Sequence, residues 1–122
     1  MSQLRPLEGA LQPTITDELM RHMLDKSKPY CVMVLRLGSV RDHPDFRNIV
    51  WEHGRRNFQL RAEGKLCIVC PVRDDTDVAG FGIFATDPEE TKRIMDDDPG
   101  VRAGIFTYDV HSFVSFPGDA LG

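Results

Sequence analysis

The chain has 122 residues, of which 41% are apolar and 28% are charged, a size and composition that predict one ordinary globular domain. A net charge of −4 argues against a nucleic-acid binder, because proteins that neutralise phosphates usually carry a basic excess. The longest apolar run, residues 31–35, is far shorter than the ~20 residues that span a bilayer, and no apolar signal stretch follows Met1. We therefore expect a soluble, cytoplasmic protein that binds neither membrane nor nucleic acid.

The first half of the chain predicts a short helix, a strand and a long helix. Thr16 is placed to cap a short helix that carries an apolar stripe. Residues 30–37 predict a strand that is apolar on both faces for most of its length. Pro44 fits the first turn of a long helix that runs to about Glu63, because Gly64 stops it.

The second half predicts two strands, a helix and a final strand. Residues 65–70 and 78–85 are the two strands, separated by an acidic turn. Asp87 begins a helix as its N-cap, and this helix ends before Pro99, since a proline disfavours helical geometry in the residue before it. Residues 105–116 form the last strand.

This order, β-α-β-β-α-β behind an N-terminal extension, predicts an α+β protein of the ferredoxin-like type. Two right-handed crossovers place both helices on one face of an antiparallel sheet and leave the other face bare. Because the strands are apolar on both faces, the bare face needs a cover. A second subunit is the simplest one, and we expect a homodimer through this sheet face, although the N-terminal helix is placed to cover part of it.

Cysteine usage indicates neither a disulfide framework nor a metal site. The chain has three cysteines, and Cys67 and Cys70 form a CxxC pattern within a predicted strand. Residues three apart on a strand point to opposite faces, so the two thiols diverge. A zinc site needs two further ligands, which the sequence does not supply at a suitable spacing. We interpret these cysteines as small hydrophobic residues, and we expect neither a metal nor a cofactor.

His53 is the most informative residue of the long helix, because it lies in the middle of an apolar stripe. One interpretation is a core histidine whose hydrogen bonds are satisfied. The other is a general acid or base held in an apolar pocket. Helical periodicity does not separate the two. The stripe consists of Phe46, Ile49, Val50, His53, Asn57 and Leu60.

Asp98 stands apart from the two acids before it, Asp96 and Asp97. Three acids at the C-terminal end of a helix oppose its macrodipole, and a solvated helix end is the common explanation of such a run. Pro99, however, fixes Asp98 in an extended conformation, and Gly100 makes a tight turn after it. A carboxylate beside a histidine orients the imidazole, as in catalytic dyads, so Asp98 is a candidate partner of His53.

These residues resemble the YCII-related (YciI-like) family. The resemblance lies in His53 followed eleven residues later by the Gly64-Lys65-Leu66 segment, and in Asp98-Pro99 followed by Ala103-Gly104. It covers residues 29 to about 113. On this basis we divide the chain into an N-terminal extension with a short helix (residues 1–28), a YCII-like ferredoxin-fold domain (29–116) and a C-terminal tail (117–122).

The resemblance implies a dimeric α+β barrel in which two sheets pack face to face. It also implies an active site built on a histidine and an aspartate, here His53 and Asp98. One line of the family is similar to dehydrochlorinases that act on chlorinated hydroxyquinols. Asn57, one turn from His53, Pro99, next to Asp98, and Gly80, where a backbone or ligand can approach the third strand, are the predicted substrate-pocket residues.

The chain departs from the family pattern at three positions. Gly100 stands where the family usually has Phe or Tyr, which removes an aromatic pocket wall. Val50 stands where an arginine is often found, and Cys70 stands where glycine precedes the proline. Arg55 and Arg56 carry positive charge nearby, and we interpret both as part of a solvated helix face.

Two classes of function remain open from the sequence. In the first, the protein is a cofactor-free lyase or isomerase on a small aromatic or quinoid compound. His53 then moves a proton while Asp98 orients the imidazole and stabilises its charge. In the second, the protein is a non-catalytic small-molecule-binding or interaction module, and the His53–Asp98 pair is structural.

Overall fold

The computed structural model describes residues 12–122 of the chain, which form four helices and four strands. None of these helices has the length and apolar character needed to cross a membrane. In chain order the elements are α1 (Asp17–Asp25), β1 (Lys28–Leu37), α2 (Phe46–Ala62), β2 (Leu66–Pro71), β3 (Val78–Phe84), α3 (Pro88–Asp96), α4 (Pro99–Arg102) and β4 (Phe106–Ser115).

The chain divides into two compact units. Lys28–Ser115 forms the larger one, and the described residues before Lys28 (12–27) and after Ser115 (116–122) belong to the smaller. Within the smaller unit, α1 begins as predicted, because the Thr16 side chain accepts a hydrogen bond from the Leu19 amide at 3.1 Å.

The larger unit is built on one antiparallel sheet in the order β2-β3-β1-β4. The central strand β1 pairs with β3 on one side and with β4 on the other, which leaves β2 and β4 as the edges. This is the predicted ferredoxin-like α+β arrangement, and the fold prediction is confirmed.

The helices cover one face of this sheet. Cys31, Met33 and Leu35 alternate along β1 and are buried, and they share one core cluster with Leu60 of α2 and Met95 of α3. Both long helices therefore pack on the same side, as predicted from right-handed crossovers.

The opposite side, which we call the outer sheet face, carries many apolar side chains on β1, β2 and β3. The strand register places its residues directly beside one another, as in the pairs Val34–Phe81 and Tyr30–Phe113. The core residues of α2, α3 and α4 pack against the inner side of the sheet and not against this face. The apolar residues of the outer sheet face are Tyr30, Val32, Val34, Ile68, Cys70, Phe81, Ile83 and Phe113. The same register adds Arg36, Thr107, Asp109 and His111 to this face, and Arg36 pairs with Asp109 at 3.2 Å.

Helix boundaries differ from the prediction at two places. The long helix begins at Phe46 rather than at Pro44, because the Phe46 amide donates to the His43 carbonyl and closes a turn first. The segment after α3 was expected to be extended with a tight turn, but it forms the short helix α4. Pro99 is its first residue, a position where the missing proline N–H has no intrahelical partner to lose.

Candidate functional site

His53 is buried on the inner face of α2, where the apolar stripe predicted it. Its Nδ1 donates a hydrogen bond to Oδ1 of Asp98 at 2.8 Å. The side chains are 10% and 1% exposed, so the contact is largely shielded from water. Because a carboxylate only accepts hydrogen bonds, Nδ1 carries a proton, and the tautomer that this selects has its lone pair on Nε2.

Asp98 is held on its other side by the start of α4. Its Oδ2 accepts hydrogen bonds from the amides of Gly100 at 2.9 Å and Val101 at 3.2 Å, which makes Asp98 the N-cap of this helix. One carboxylate thus caps a helix and orients a histidine. Asp98 was expected at the C-terminal end of a helix, and this placement is wrong, because α3 ends at Asp96 and Asp98 is the N-cap of α4.

The neighbouring acids behave as ordinary surface groups. Asp97 forms an exposed ion pair with Arg102 at 3.0 Å. Asp96 accepts a hydrogen bond from the hydroxyl of Tyr108 at 2.6 Å. Partial burial, then this hydrogen bond and the negative charge of Asp96, raise the pKa of Tyr108 to about 12. Asp98 therefore differs from Asp96 and Asp97 in burial and in contacts, as the sequence indicated.

Asn57 lies one helical turn after His53 and faces the second imidazole nitrogen. Its Nδ2 donates to Nε2 of His53 at 3.4 Å, a long hydrogen bond beside the short one to Asp98. Both imidazole nitrogens are therefore occupied within the chain. The weaker partner is on Nε2, the atom that a substrate proton would reach.

Phe106, the first residue of β4, forms an aromatic wall against His53. The two ring centroids are 4.9 Å apart at an interplanar angle of 49°. Gly100 makes room for this ring, since a Cβ there would lie 2.8 Å from Cε2 of Phe106. The aromatic wall that the sequence lacks at position 100 is supplied from β4, and sequence reasoning missed it.

Arg56 also belongs to this cluster and was wrongly assigned to a solvated helix face. Its Nη1 lies 3.7 Å from Oδ1 of Asp98, and its side chain is 25% exposed. Arg55, the next residue back, is on the solvated face as expected, with its side chain 67% exposed and paired to Glu52. The difference follows from helix geometry, because position 56 is three residues from His53 and shares its side of α2.

Two of the three predicted pocket residues lie near His53 and Asp98, and the third lies elsewhere in the sheet. Asn57 contacts the imidazole, and Pro99 adjoins Asp98 in the chain. Gly80 lies on β3, two strands away from Phe106 in the sheet, and a Cβ there would be 2.9 Å from the Cys70 carbonyl oxygen. Of the two alternatives, a backbone or a ligand close to the third strand, the structure shows the backbone of Cys70 next to Gly80. A role of these three residues in substrate binding stays a prediction.

No metal cluster accompanies the site among the described residues. Across residues 12–122, no group of three or more His, Cys, Asp or Glu side chains is placed to hold an ion. All three cysteines are free. Cys31 is buried, whereas Cys67 is exposed on the edge strand β2, so the interpretation of the cysteines as small hydrophobic residues does not fit Cys67.

Comparison with known proteins gives likenesses among solved structures alone. No family model matches the chain, and no curated protein matches it. Among solved structures, the 5-chloro-2-hydroxyhydroquinone dehydrochlorinase from Burkholderia phenoliruptrix AC1100, in complex with 2,5-dihydroxybenzoquinone, is similar over 66% of this chain and 90% of that chain. The sequence identity is 21% and the TM-score is 0.44. Membership of the YciI-like family stays a prediction from the sequence.

Proposed function

We propose that the protein is a cofactor-free lyase or isomerase in which His53 transfers a proton on a small aromatic or quinoid compound. The observation that supports this most directly is the 2.8 Å hydrogen bond from His53 Nδ1 to the buried Asp98. It leaves Nε2 as the basic atom and holds the ring in one orientation. A base prepared in this way is the central requirement of general acid–base catalysis.

In the proposed reaction, Nε2 accepts a proton from the substrate and Asp98 stabilises the imidazolium that forms. For a lyase acting on a chlorinated hydroxyquinol, the substrate loses that proton together with chloride, so HCl is eliminated without an oxidant or reductant. For an isomerase, the imidazolium returns the proton to another atom of the same molecule. Asn57 moves away from Nε2 in both cases, because substrate and amide compete for one lone pair.

The test is a proton-transfer assay on a chlorinated hydroxyhydroquinone, the substrate type that the YciI-like resemblance implies. Chloride release measures elimination, and deuterium uptake from solvent into the unchlorinated analogue measures proton transfer alone. We expect His53→Gln and Asp98→Asn to lower both rates by about 10²–10⁴-fold. Asp96→Asn removes an exposed acid two residues away and serves as the matched control. A chelator should leave the rates unchanged.

Equal rates in all of these variants, or no reaction in the wild type, would contradict the proposal. The second candidate function is then favoured, a binding or interaction module with a structural His53–Asp98 pair. One observation supports this alternative: both imidazole nitrogens already have partners within the chain, and the side chain is only 10% exposed. In that case His53→Gln lowers stability without affecting any proton transfer.

We also propose that the protein is a homodimer through the outer sheet face. Its apolar side chains lie opposite the helices, and Phe81 among them is 41% exposed. Apolar surface of this kind is stabilised when a second copy covers it, and a two-fold axis brings the same face to both subunits. A cytoplasmic location stays a prediction from the sequence.

A further inference from the structure

The Arg56 side chain carries a buried donor that nothing in the described part of the chain accepts. Its Nη1 has no hydrogen-bond partner among these residues, although the atom is shielded from solvent. Buried donors are nearly always paired in native proteins, and a charged donor left unpaired is especially costly. The acceptor of this atom therefore lies outside the described residues, in a water molecule or in a bound ligand.

Asp98 does not satisfy this donor. The separation of 3.7 Å between Arg56 Nη1 and Asp98 Oδ1 exceeds the usual hydrogen-bond distance. Oδ1 already accepts from His53, and Oδ2 accepts from two amides of α4. The carboxylate attracts the guanidinium by charge, but no hydrogen bond joins the two groups at this separation.

The charges of the cluster also favour an anionic guest. Arg56 contributes one positive charge and Asp98 one negative charge, so the cluster is neutral while His53 is neutral. When His53 takes a proton, the buried cluster acquires a net positive charge, which is costly without a counter-charge. The substrate that has just lost this proton is negatively charged, and it supplies that counter-charge.

We propose that Arg56 binds a negatively charged oxygen of the ligand, a carboxylate or a phenolate, at the His53 site. This inference rests on the proposed function, since it takes the His53 site to be the place where a small molecule binds. Arg56 and His53 lie against the same oxygen of Asp98, so the guanidinium and the imidazole belong to one cluster, and the proposed ligand spans both. The planar guanidinium suits both kinds of oxygen.

Two matched pairs of probes test this inference without turnover. Benzoate and benzamide differ in charge at the carboxyl group, and para-nitrophenolate and para-nitroanisole differ at the phenol oxygen. Binding is followed by NMR of the His53 ring and the Arg56 side-chain N–H. We expect at least one anion to bind the wild type about tenfold more tightly than its neutral partner, the contribution of one charge-assisted hydrogen bond. The pair that shows this preference identifies the oxygen type.

Three variants locate the preference. Arg56→Gln should remove it, and Arg56→Lys should restore part of it, because lysine keeps the charge without the planar fork. Arg55→Gln, an adjacent change on the exposed side of α2, should retain the full preference. Unchanged His53 and Phe106 signals in the unliganded variants show that the site is folded.

The inference is overturned if neither anion binds, if anions and neutral partners bind equally, or if Arg55→Gln removes the preference as fully as Arg56→Gln does. These outcomes are separate from failure of the proposed enzyme activity. If the anion preference depends on Arg56 but the protein transfers no proton, the inference holds and the proposed reaction is wrong. If proton transfer occurs without any anion preference, the reverse is true.

Discussion

Phe106 packs its ring against the imidazole of His53, with the centroids 4.9 Å apart, and this contact depends on the absence of a side chain at Gly100. The first residue of β4 and the second residue of α4 thus share the space beside the candidate base. An aromatic group at this place excludes water from one side of the ring. It also fixes the ring plane, which the hydrogen bond to Asp98 alone does not do.

Gly100→Ala should therefore destabilise the protein and disturb His53 together. The added Cβ overlaps the Phe106 ring, and overpacking of this kind costs about 1–3 kcal/mol in the free energy of unfolding. Gly54→Ala, also within a helix, is the matched control, because a Cβ there meets no heavy atom of the described residues within 4 Å. It should stabilise α2 by about 0.5–1 kcal/mol. Urea denaturation measures both changes, and a harmless Gly100→Ala would show that the Phe106 contact is unimportant.

Asp98→Asn should change the tautomer of His53. Asparagine has one side-chain oxygen, and if that oxygen caps α4, its NH₂ group faces the imidazole. Nδ1 must then accept rather than donate, so the proton moves to Nε2 and the basic atom is lost. Nitrogen NMR of the ring distinguishes the two tautomers. The variant should also lose about 1–3 kcal/mol of stability, since hydrogen bonds at a buried carboxylate are replaced by poorer ones.

The exposed Asp96→Asn variant should leave the His53 ring spectrum unchanged. It removes the same charge from the same region of the chain but touches Tyr108 rather than the imidazole. Similar spectral changes in both variants would mean that Asp98 acts only through its long-range field. His53 would then be a core histidine with a satisfied hydrogen bond.

Tyr108 should make the folded state sensitive to alkali. Its pKa is raised from 10.0 to about 12, first by burial and then by the hydrogen bond and negative charge of Asp96. The folded state therefore binds this proton more tightly than the unfolded chain does. The resulting stability is fully present below pH 10 and is lost as the pH rises towards about 12.

The free energy of unfolding, measured by urea across this pH range, checks the prediction. Tyr108→Phe should remove this part of the pH dependence, and Asp96→Asn should reduce it, because the charge that disfavours phenolate is gone. If the Tyr108→Phe variant keeps the pH dependence of the wild type, the loss of stability at high pH comes from another group.

Homodimerisation through the outer sheet face should be sensitive to a charge at Phe81. Phe81 is 41% exposed on that face, between β1 and β2 in the sheet. Phe81→Glu should dissociate the dimer, because burying an unpaired charge opposes association. Phe58→Glu is the control, since Phe58 is 60% exposed on α2, an element that packs on the other side of the sheet. Sedimentation of the wild type as a monomer at micromolar concentration would contradict the prediction.

The sequence was sufficient to predict the fold and two residues of the candidate site. The order of strands and helices is predicted by periodicity, caps and prolines, because each of these signals lies within a few residues of the element that it marks. His53 was found because a polar residue interrupts an apolar stripe, and Asp98 because Pro99 separates it from two similar acids. Both are cases in which one residue contradicts its local surroundings, and the structure confirms that they form a pair.

Phe106 and Arg56 gave no such signal. An aromatic residue at the start of a strand is ordinary, and its contact with His53 arises only when β4 packs beside α2 and α4. Arg56 resembles Arg55 in sequence, and only its position three residues after His53 hinted at a different environment. The helix α4 was missed because four residues are too few to show a period.

The double use of Asp98 links the assembly of the site to the smallest element of the fold. A four-residue helix has no stability of its own, so α4 persists through its cap and its packing. When α4 frays, the Gly100 and Val101 amides release the carboxylate, and His53 loses the fixed partner that selects its tautomer. Local opening and loss of the base are then one event. Hydrogen exchange at these two amides would report, residue by residue, how often the histidine is left without its orientation.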